Sequence, residues 1–429
     1  MKFNKKYLLN FLFVALNQFS KSHASSVSQK DLDNFSYGTD EFTMTIHGDT
    51  GTGKEATQVM NLAKFDALLH LGDYDYECKP DSYFDNILKY NRSYKFFGIL
   101  GNHETKQECN ESKYYQYVNN IHYQMTNSKN KSTYCTFSSK KTMWSCSYRN
   151  MRIIGLSPAI SKDEKREEQL KFLKNQLSSS KEDWKICAWH YYDGYYHTGK
   201  YPSDENIVSE KGESFYDVCK EYGALIFSAH DHVYARTHVM SKFSYPKVDS
   251  YDYKTSSNIV QIRKGATLNI LSAVGGYEIY SESGKYKDYS HWQKKFSKGS
   301  SGENAKKFGT LNCKFNVGGN NKKAYCEFLR INSSSKVFDS FTIYRNDPSK
   351  KSYKDVDNDF LSEKTEAYKK KYGSSSNSSS STSKESRCGS KYGKCPSGQC
   401  CSKYGYCGTG SKYCSLDRGC QSKYGSCKS

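Results

Sequence analysis

From Glu41 to about Asp347, short uninterrupted apolar runs alternate with segments whose apolar positions recur every three or four residues. The runs Phe42–Gly48, Ala67–Gly72, Phe96–Gly101, Arg152–Leu156, Trp184–Trp189 and Ala224–Ser228 read as buried strands. Between them, Glu55–Lys64, Ser82–Tyr90 and Lys162–Leu177 have helical spacing, and in the last Leu170, Phe172, Leu173 and Leu177 share one face. Such alternation predicts an α/β core. After His232 the chain becomes strand-rich through Ile259–Arg263, Leu268–Ala273 and Val337–Tyr344, which predicts a second sheet packed on the first.

The pattern breaks at both ends. Lys2, Lys5 and Lys6 precede the apolar run Tyr7–Leu16, and Ser22 and Ala24 offer small residues at a cleavage point, so residues 1–24 read as an export signal too short to span a bilayer. The main folded region is expected over residues 25–350. Ser352–Lys371 is charged and has helical character, and Gly373–Ser386 is nearly all Ser, so residues 351–386 read as a charged segment and flexible linker that cannot bury enough apolar surface to order itself. The tail, residues 387–429, is a separate unit.

Composition narrows the classes. At 36% hydrophobic content the chain can build a real core, and 38 Tyr against 4 Trp give Tyr much of the packing. The formal charge of +19 favours anionic partners, but the Lys residues are spread along the chain without a nucleic-acid-binding signature, so the charge reads as a solvated surface with no nucleic acid partner. No segment is long and apolar enough for a membrane span. An even 16 Cys and sequons at Asn91, Asn110, Asn130, Asn332 and Asn377 fit an oxidising, extracellular or cell-wall setting. Cys135 with Cys146 and Cys313 with Cys326 flank hairpins, leaving Cys78 with Cys109 and Cys187 with Cys219 by elimination.

Five clusters at predicted strand ends carry the candidate chemistry: His47-Gly48-Asp49-Thr50-Gly51, Gly72-Asp73-Tyr74-Asp75-Tyr76, Gly101-Asn102-His103-Glu104, Trp189-His190 and Ala229-His230-Asp231-His232. Two cations held close together repel, so a carboxylate must lie between them while imidazoles and oxygen donors complete each shell. Strand-end loops let such ligands converge, and neighbouring Gly permits sharp turns. Any one cluster alone is more often a turn, a cap or a core His; five in this order point to a dinuclear hydrolase. His47, just before the first motif, is expected to be structural.

The order GDxG, GDxxY, GNH(D/E), a lone His and GHxH resembles the purple acid phosphatases over roughly residues 40–347, with Ala229 replacing the Gly of the last motif. That resemblance implies a four-layer α/β/β/α metallophosphoesterase sandwich. It also implies Fe(III) on Asp49, Tyr76 and His232, a divalent Fe, Zn or Mn on Asn102, His190 and His230, and Asp73 between them. A phenolate at Tyr76 would stabilise the ferric state and colour the protein. The implied activity is acid hydrolysis of phosphomonoester substrates, with His103 binding phosphate or protonating the leaving group. His197, in the loop Tyr191–Tyr201, is the candidate for a second catalytic acid, at a shorter spacing from His190 than the mammalian-type pattern. Competing readings are another metallophosphoesterase (phosphodiesterase or nucleotidase) and a non-catalytic chitin-binding cell-wall protein.

The tail holds eight Cys in a stretch too small to be held by apolar burial, without His and with Cys400 and Cys401 adjacent, which argues for disulfides over zinc. Cys-Pro-Ser-Gly-Gln-Cys-Cys-Ser-Lys-Tyr-Gly-Tyr-Cys-Gly closely resembles the hevein-type chitin-binding domain. The resemblance implies pairs Cys388–Cys401, Cys395–Cys407, Cys400–Cys414 and Cys420–Cys427. It implies a surface of Ser402, Tyr404, Tyr406 and Tyr413 for chitin or N-acetylglucosamine oligomers. Tyr at 404 and 406 stands where Trp is frequent, so binding should be weaker but present.

Overall fold

A computed structural model describes residues 40–88, 92–127, 133–201, 205–250, 258–345, 388–390 and 393–427. The expected export signal, the linker, the charged segment before it and the sequons at Asn91, Asn130 and Asn377 lie outside the described residues. The chain divides into two compact units, residues 1–369 and 370–429.

The larger unit is built on two sheets. In the first, seven strands run in the order β12 (Ile259–Ile262), β17 (Val337–Arg345), β16 (Lys323–Arg330), β15 (Gly309–Phe315), β1 (Phe42–His47), β2 (Ala67–His70), β3 (Lys95–Gly98). In the second, eight run β14 (Trp292–Phe296), β9 (Tyr234–Thr237), β13 (Asn269–Ser272), β8 (Leu225–Ser228), β7 (Trp184–Ala188), β6 (Met151–Gly155), β5 (Trp144–Tyr148), β4 (Thr133–Phe137). A small hairpin, β10 (Met240–Lys242) with β11 (Lys247–Val248), stands apart. The strands after His232 therefore do not form a sheet of their own, as their position in the chain had suggested. β15 pairs antiparallel with β1, whereas β13 lies parallel to β8, so this segment supplies both sheets.

The apolar runs follow from burial on both faces. In β6 to β8, Ile153, Ile186, Leu225 and Phe227 join the core between the sheets, together with Met44, Ile46 and Leu69 of the first sheet. Their alternates Ile154, Cys187 and Ile226 face a second core with Leu170, Leu173 and Leu177 of helix α3 (Arg166–Ser179) and Phe215, Tyr216 and Val218 of α4 (Phe215–Glu221). On the first sheet lie α1 (Lys54–Met60) and α2 (Glu111–Thr126). Helices on the outer faces of two packed sheets give the four-layer arrangement. The predicted helix at 82–90 is helical from Ser82 and takes π geometry over Phe84–Leu88; residues 89 and 90 lie outside the described residues.

Helix α2 was not anticipated. Its buried face is Tyr114, Tyr117, Val118, Ile121, Gln124 and Met125, two of them tyrosine, and intervening Asn, Gln and Lys dilute the periodicity. Its start is marked by Asn110, whose side chain accepts the N–H of Lys113. Tyr carries much of the packing elsewhere too: Tyr74, Tyr83, Tyr148, Tyr192, Tyr196 and Tyr216 are fully buried.

Four disulfides staple this unit: Cys78–Cys109, Cys135–Cys146, Cys187–Cys219 and Cys313–Cys326. Two of them join directly opposed residues of the antiparallel pairs β4–β5 and β15–β16. The smaller unit is held by Cys388–Cys401, Cys395–Cys407, Cys400–Cys414 and Cys420–Cys427, whose half-cystines make up most of its interior.

Candidate metal centre

Strands β1, β2, β3, β7 and β8 all end at one edge of the sandwich, and each is followed within a few residues by polar side chains that converge. Asp49, Asp73 and His230 take left-handed backbone conformations there (φ 57°, 57° and 68°). For non-glycine residues this costs on the order of 1 kcal/mol each, a strain characteristic of sites where a side chain must point one way. The loops also approach closely. A Cβ on Gly72 would lie 2.6 Å from the Gly101 nitrogen and 2.8 Å from His190 Nδ1, so Gly is required where the second, third and fourth clusters meet.

Two groups result. Asp49, Asp73 and His232 bring ligand atoms within 4.8 Å of one another, and so do Asp73, His190 and His230. Asp73 belongs to both. Tyr76 Oη lies 3.2 Å from His232 Nε2, which is also 3.2 Å from Asp49 Oδ1. Asn102 Oδ1 lies 3.0 Å from His190 Nε2, and Asp73 Oδ1 3.4 Å from it. The seven residues expected to bind metal are thus brought together by the fold, three around one edge of Asp73 and three around the other.

The residues suit cations. His190 donates Nδ1–H to the Leu71 carbonyl at 2.7 Å, which turns the Nε2 lone pair toward two acceptor oxygens. Three lone pairs at that spacing need a positive species among them. Burial alone would lower the His190 pKa, yet the charge and hydrogen bond of Asp73, followed by Asp49, carry it up to about 9. Asp73 is pushed up by burial but held below the ordinary carboxylate range by His190, with His103 and His230 adding to the effect. Asp49 is raised by burial despite His232. Burial, then Asp73 and Asp49, raise the Tyr76 phenol well above its usual range, a direction that a cation would reverse. Asp49 Oδ1 and Asp73 Oδ2 are buried and accept no hydrogen bond among the described residues. Buried oxygens in that state are expensive unless an ion uses them.

Three further carboxylates brace the loops, none of them singled out from the sequence. Glu104 accepts the N–H groups of Gly101, Asp73 and Tyr74 at 2.7, 2.9 and 2.9 Å, tying the second cluster to the third. Asp231 accepts those of Thr198, Gly199 and Lys200. Asp75 accepts those of Glu77 and Lys79 and the hydroxyl of Tyr117 on α2. The only sequence signal was an acidic residue beside a ligand, because backbone donors leave no mark in the amino-acid string.

His103 stands at the opening of the site. Its N–H donates to Asp73 Oδ1 at 3.1 Å, its ring lies against Tyr76 (centroids 4.3 Å), and its side chain is 28% exposed. His197 does not join it. That ring is fully buried, stacked on Tyr192 at 4.3 Å, with Nδ1 4.0 Å from Asp231 Oδ2. Tyr192 also approaches His230 (5.7 Å), so His197 lies against a side chain that neighbours the cluster. His47 is buried, bonded to Thr310 Oγ1 at 2.9 Å, and its pKa is lowered by burial to about 3.

In the smaller unit Tyr404 is 73% exposed and Tyr406 and Tyr413 are partly so. A Cβ on Gly408 would fall 2.8 Å from the Tyr413 ring, so that ring lies flat over the glycine. Ser402 is nearly buried; its hydroxyl accepts the Tyr406 N–H.

Residues 46–234 match the family model of the calcineurin-like phosphoesterases, and residues 387–427 that of the chitin recognition proteins. No curated protein sequence matches the chain. Among solved structures, the chain is similar to the purple acid phosphatase PPD1 from yellow lupin (Lupinus luteus) seeds at a TM-score of 0.54 and 16% identity, over 72% of this chain and 55% of that one. It therefore spans about half the length of the lupin protein. A likeness to PhoD has a TM-score of 0.43 and 12% identity, over 77% of this chain and 78% of that one. The chain carries a calcineurin-like phosphoesterase domain with the fold of a purple acid phosphatase, followed by a hevein-type chitin recognition domain.

Proposed function

We propose that the protein is an extracellular acid phosphatase that hydrolyses phosphate monoesters at a dinuclear centre of Fe(III) and a divalent Fe, Zn or Mn, while its C-terminal domain holds it to chitin. The observation that carries this reading is the membership of Asp73 in both ligand groups. A single carboxylate between two otherwise complete donor sets is what separation of two like charges requires.

In this reading Asp49, Tyr76 and His232 hold the ferric ion, Asn102, His190 and His230 hold the divalent ion, and Asp73 is shared. When bound, such a pair supplies Lewis acidity toward the phosphate and makes water a nucleophile at moderate pH. The chain supplies the rest. Leu71 keeps the His190 Nε2 lone pair aimed inward, and Glu104 keeps the Asp73 and Asn102 loops at one spacing. Burial of Asp49, Asp73, His190 and His232 excludes bulk water behind the phosphate. His103, at the opening, orients the phosphate and gives a proton to the departing alkoxide oxygen. Tyr404, Tyr406 and Tyr413 offer flat faces to the C–H faces of N-acetylglucosamine rings, which keeps the enzyme concentrated on the polymer. The test is hydrolysis of an aryl phosphate by the full chain beside its Asp73→Ala variant. A loss of turnover in the variant is expected, and equal turnover would remove the proposal.

A further inference from the structure

His230 and His232 leave β8 only two positions apart yet enter different ligand groups. Something beyond the strand must hold the two imidazoles. For His190 the holder is plain, since its Nδ1 is bonded to a backbone carbonyl. His232 Nδ1, by contrast, makes no hydrogen bond among the described residues. Its ring instead lies parallel to Tyr280, with centroids 4.2 Å apart and planes 4° from parallel. His230 has the same relation to Tyr201, at 5.0 Å and 5°.

The two tyrosines are joined. Their rings meet edge to face at 83° with centroids 5.9 Å apart. Each is also anchored through the backbone. The Tyr280 N–H donates to the His232 carbonyl at 2.9 Å. Just before Tyr201, three N–H groups are gripped by Asp231, the residue between the two histidines. Ser283, three residues after Tyr280, donates its N–H and its hydroxyl to the Gly199 carbonyl, both at 2.8 Å.

We propose that Tyr201 and Tyr280 are positioning residues, an aromatic clamp in which Tyr280 orients His232, Tyr201 orients His230, and the two rings brace each other edge to face. The clamp rests on the reading of the two groups as a pair of metal sites. An imidazole can swing its Nε2 by turning about the Cβ–Cγ bond, and a flat ring packed parallel to it blocks that turn. The edge-to-face contact keeps each tyrosine ring against its own imidazole.

The experiment is a titration of the metal-stripped full chain with zinc alone, in competition with a chromogenic chelator, resolving the affinities of the two equivalents. Tyr280→Leu should weaken one equivalent about 10-fold or more and Tyr201→Leu the other, the size expected for loss of an orienting neighbour. Tyr280→Phe and Tyr201→Phe keep the rings and should hold both affinities close to those of the parent protein. Affinities unchanged in both Leu variants would overturn the clamp and leave the metal sites standing. Equal weakening of both equivalents in step with a falling melting temperature, the mark of a merely structural role, would also overturn it. A parent protein that takes up no zinc would remove the metal reading itself, and the clamp with it.

Discussion

Asp73 and the groups that touch it decide what this site can do. It is the carboxylate common to both ligand groups, it receives the His103 N–H, and its charge is the main influence raising His190. Beside it, the partly exposed His103 belongs to neither ligand group. The proposed role of His103 as proton donor predicts that His103→Ala lowers kcat by about 100-fold for an alkyl phosphate, within the range of general acid catalysis. The loss should be much smaller for an aryl phosphate with a good leaving group, measured by comparing kcat for the two substrates. Equal losses would assign His103 to binding alone. The seven ligand candidates were legible in the sequence because each stands next to a strand end, most beside a small residue. His197 lies behind Tyr192 relative to His230, a placement spacing cannot give, because sequence does not tell which side of a loop a ring occupies. Glu104 and Asp231 act on backbone N–H groups, which every residue has, so their partners could not be read.

Among the elements, helix α2 has a part in the site that its sequence hid. Tyr117 on α2 donates to Asp75 Oδ2, while Asp75 Oδ1 accepts the Glu77 and Lys79 N–H groups, so the helix is tied to the loop that carries Tyr76. Tyr117→Phe should cost about 1–3 kcal/mol, as for a hydrogen bond to a buried charged group, and be seen as a lower urea midpoint. An unchanged midpoint would show that the tie is not needed. The strands were easier to anticipate than the helices, because burial on both faces leaves continuous apolar runs such as Trp184–Ala188. Strand partners were not legible. Nothing in Gly309–Phe315 announces that it pairs with Phe42–His47 across more than 260 residues while Asn269–Ser272 joins the other sheet. The local staples were easier, since Cys135 with Cys146 and Cys313 with Cys326 each sit on the two arms of one hairpin.

For the whole molecule, acid conditions act on stability through buried histidines. His291 is buried, donates to the Tyr195 carbonyl, and has its pKa lowered from 6.5 to about 4, with burial as the largest cause. A depressed histidine contributes stability that is complete above its unfolded pKa and is lost as pH falls toward the folded value. His291 should therefore withdraw stability from the phosphoesterase unit between pH 6.5 and about 4, while Asp193, raised by burial to about 6, acts in the opposite sense. On going from pH 6.5 to 4, His291→Gln should lose less urea midpoint than the parent protein; an unchanged pH dependence would place the sensitivity elsewhere. The claim beneath the rest is that one shared carboxylate organises two metal sites, one of them including a phenolate. Metal analysis and a visible absorption spectrum on one sample of the full chain test it most directly. Two ions per chain and a phenolate-to-iron absorption band that disappears in Tyr76→Phe are the predicted result; one ion or none per chain, with no such band, would contradict it.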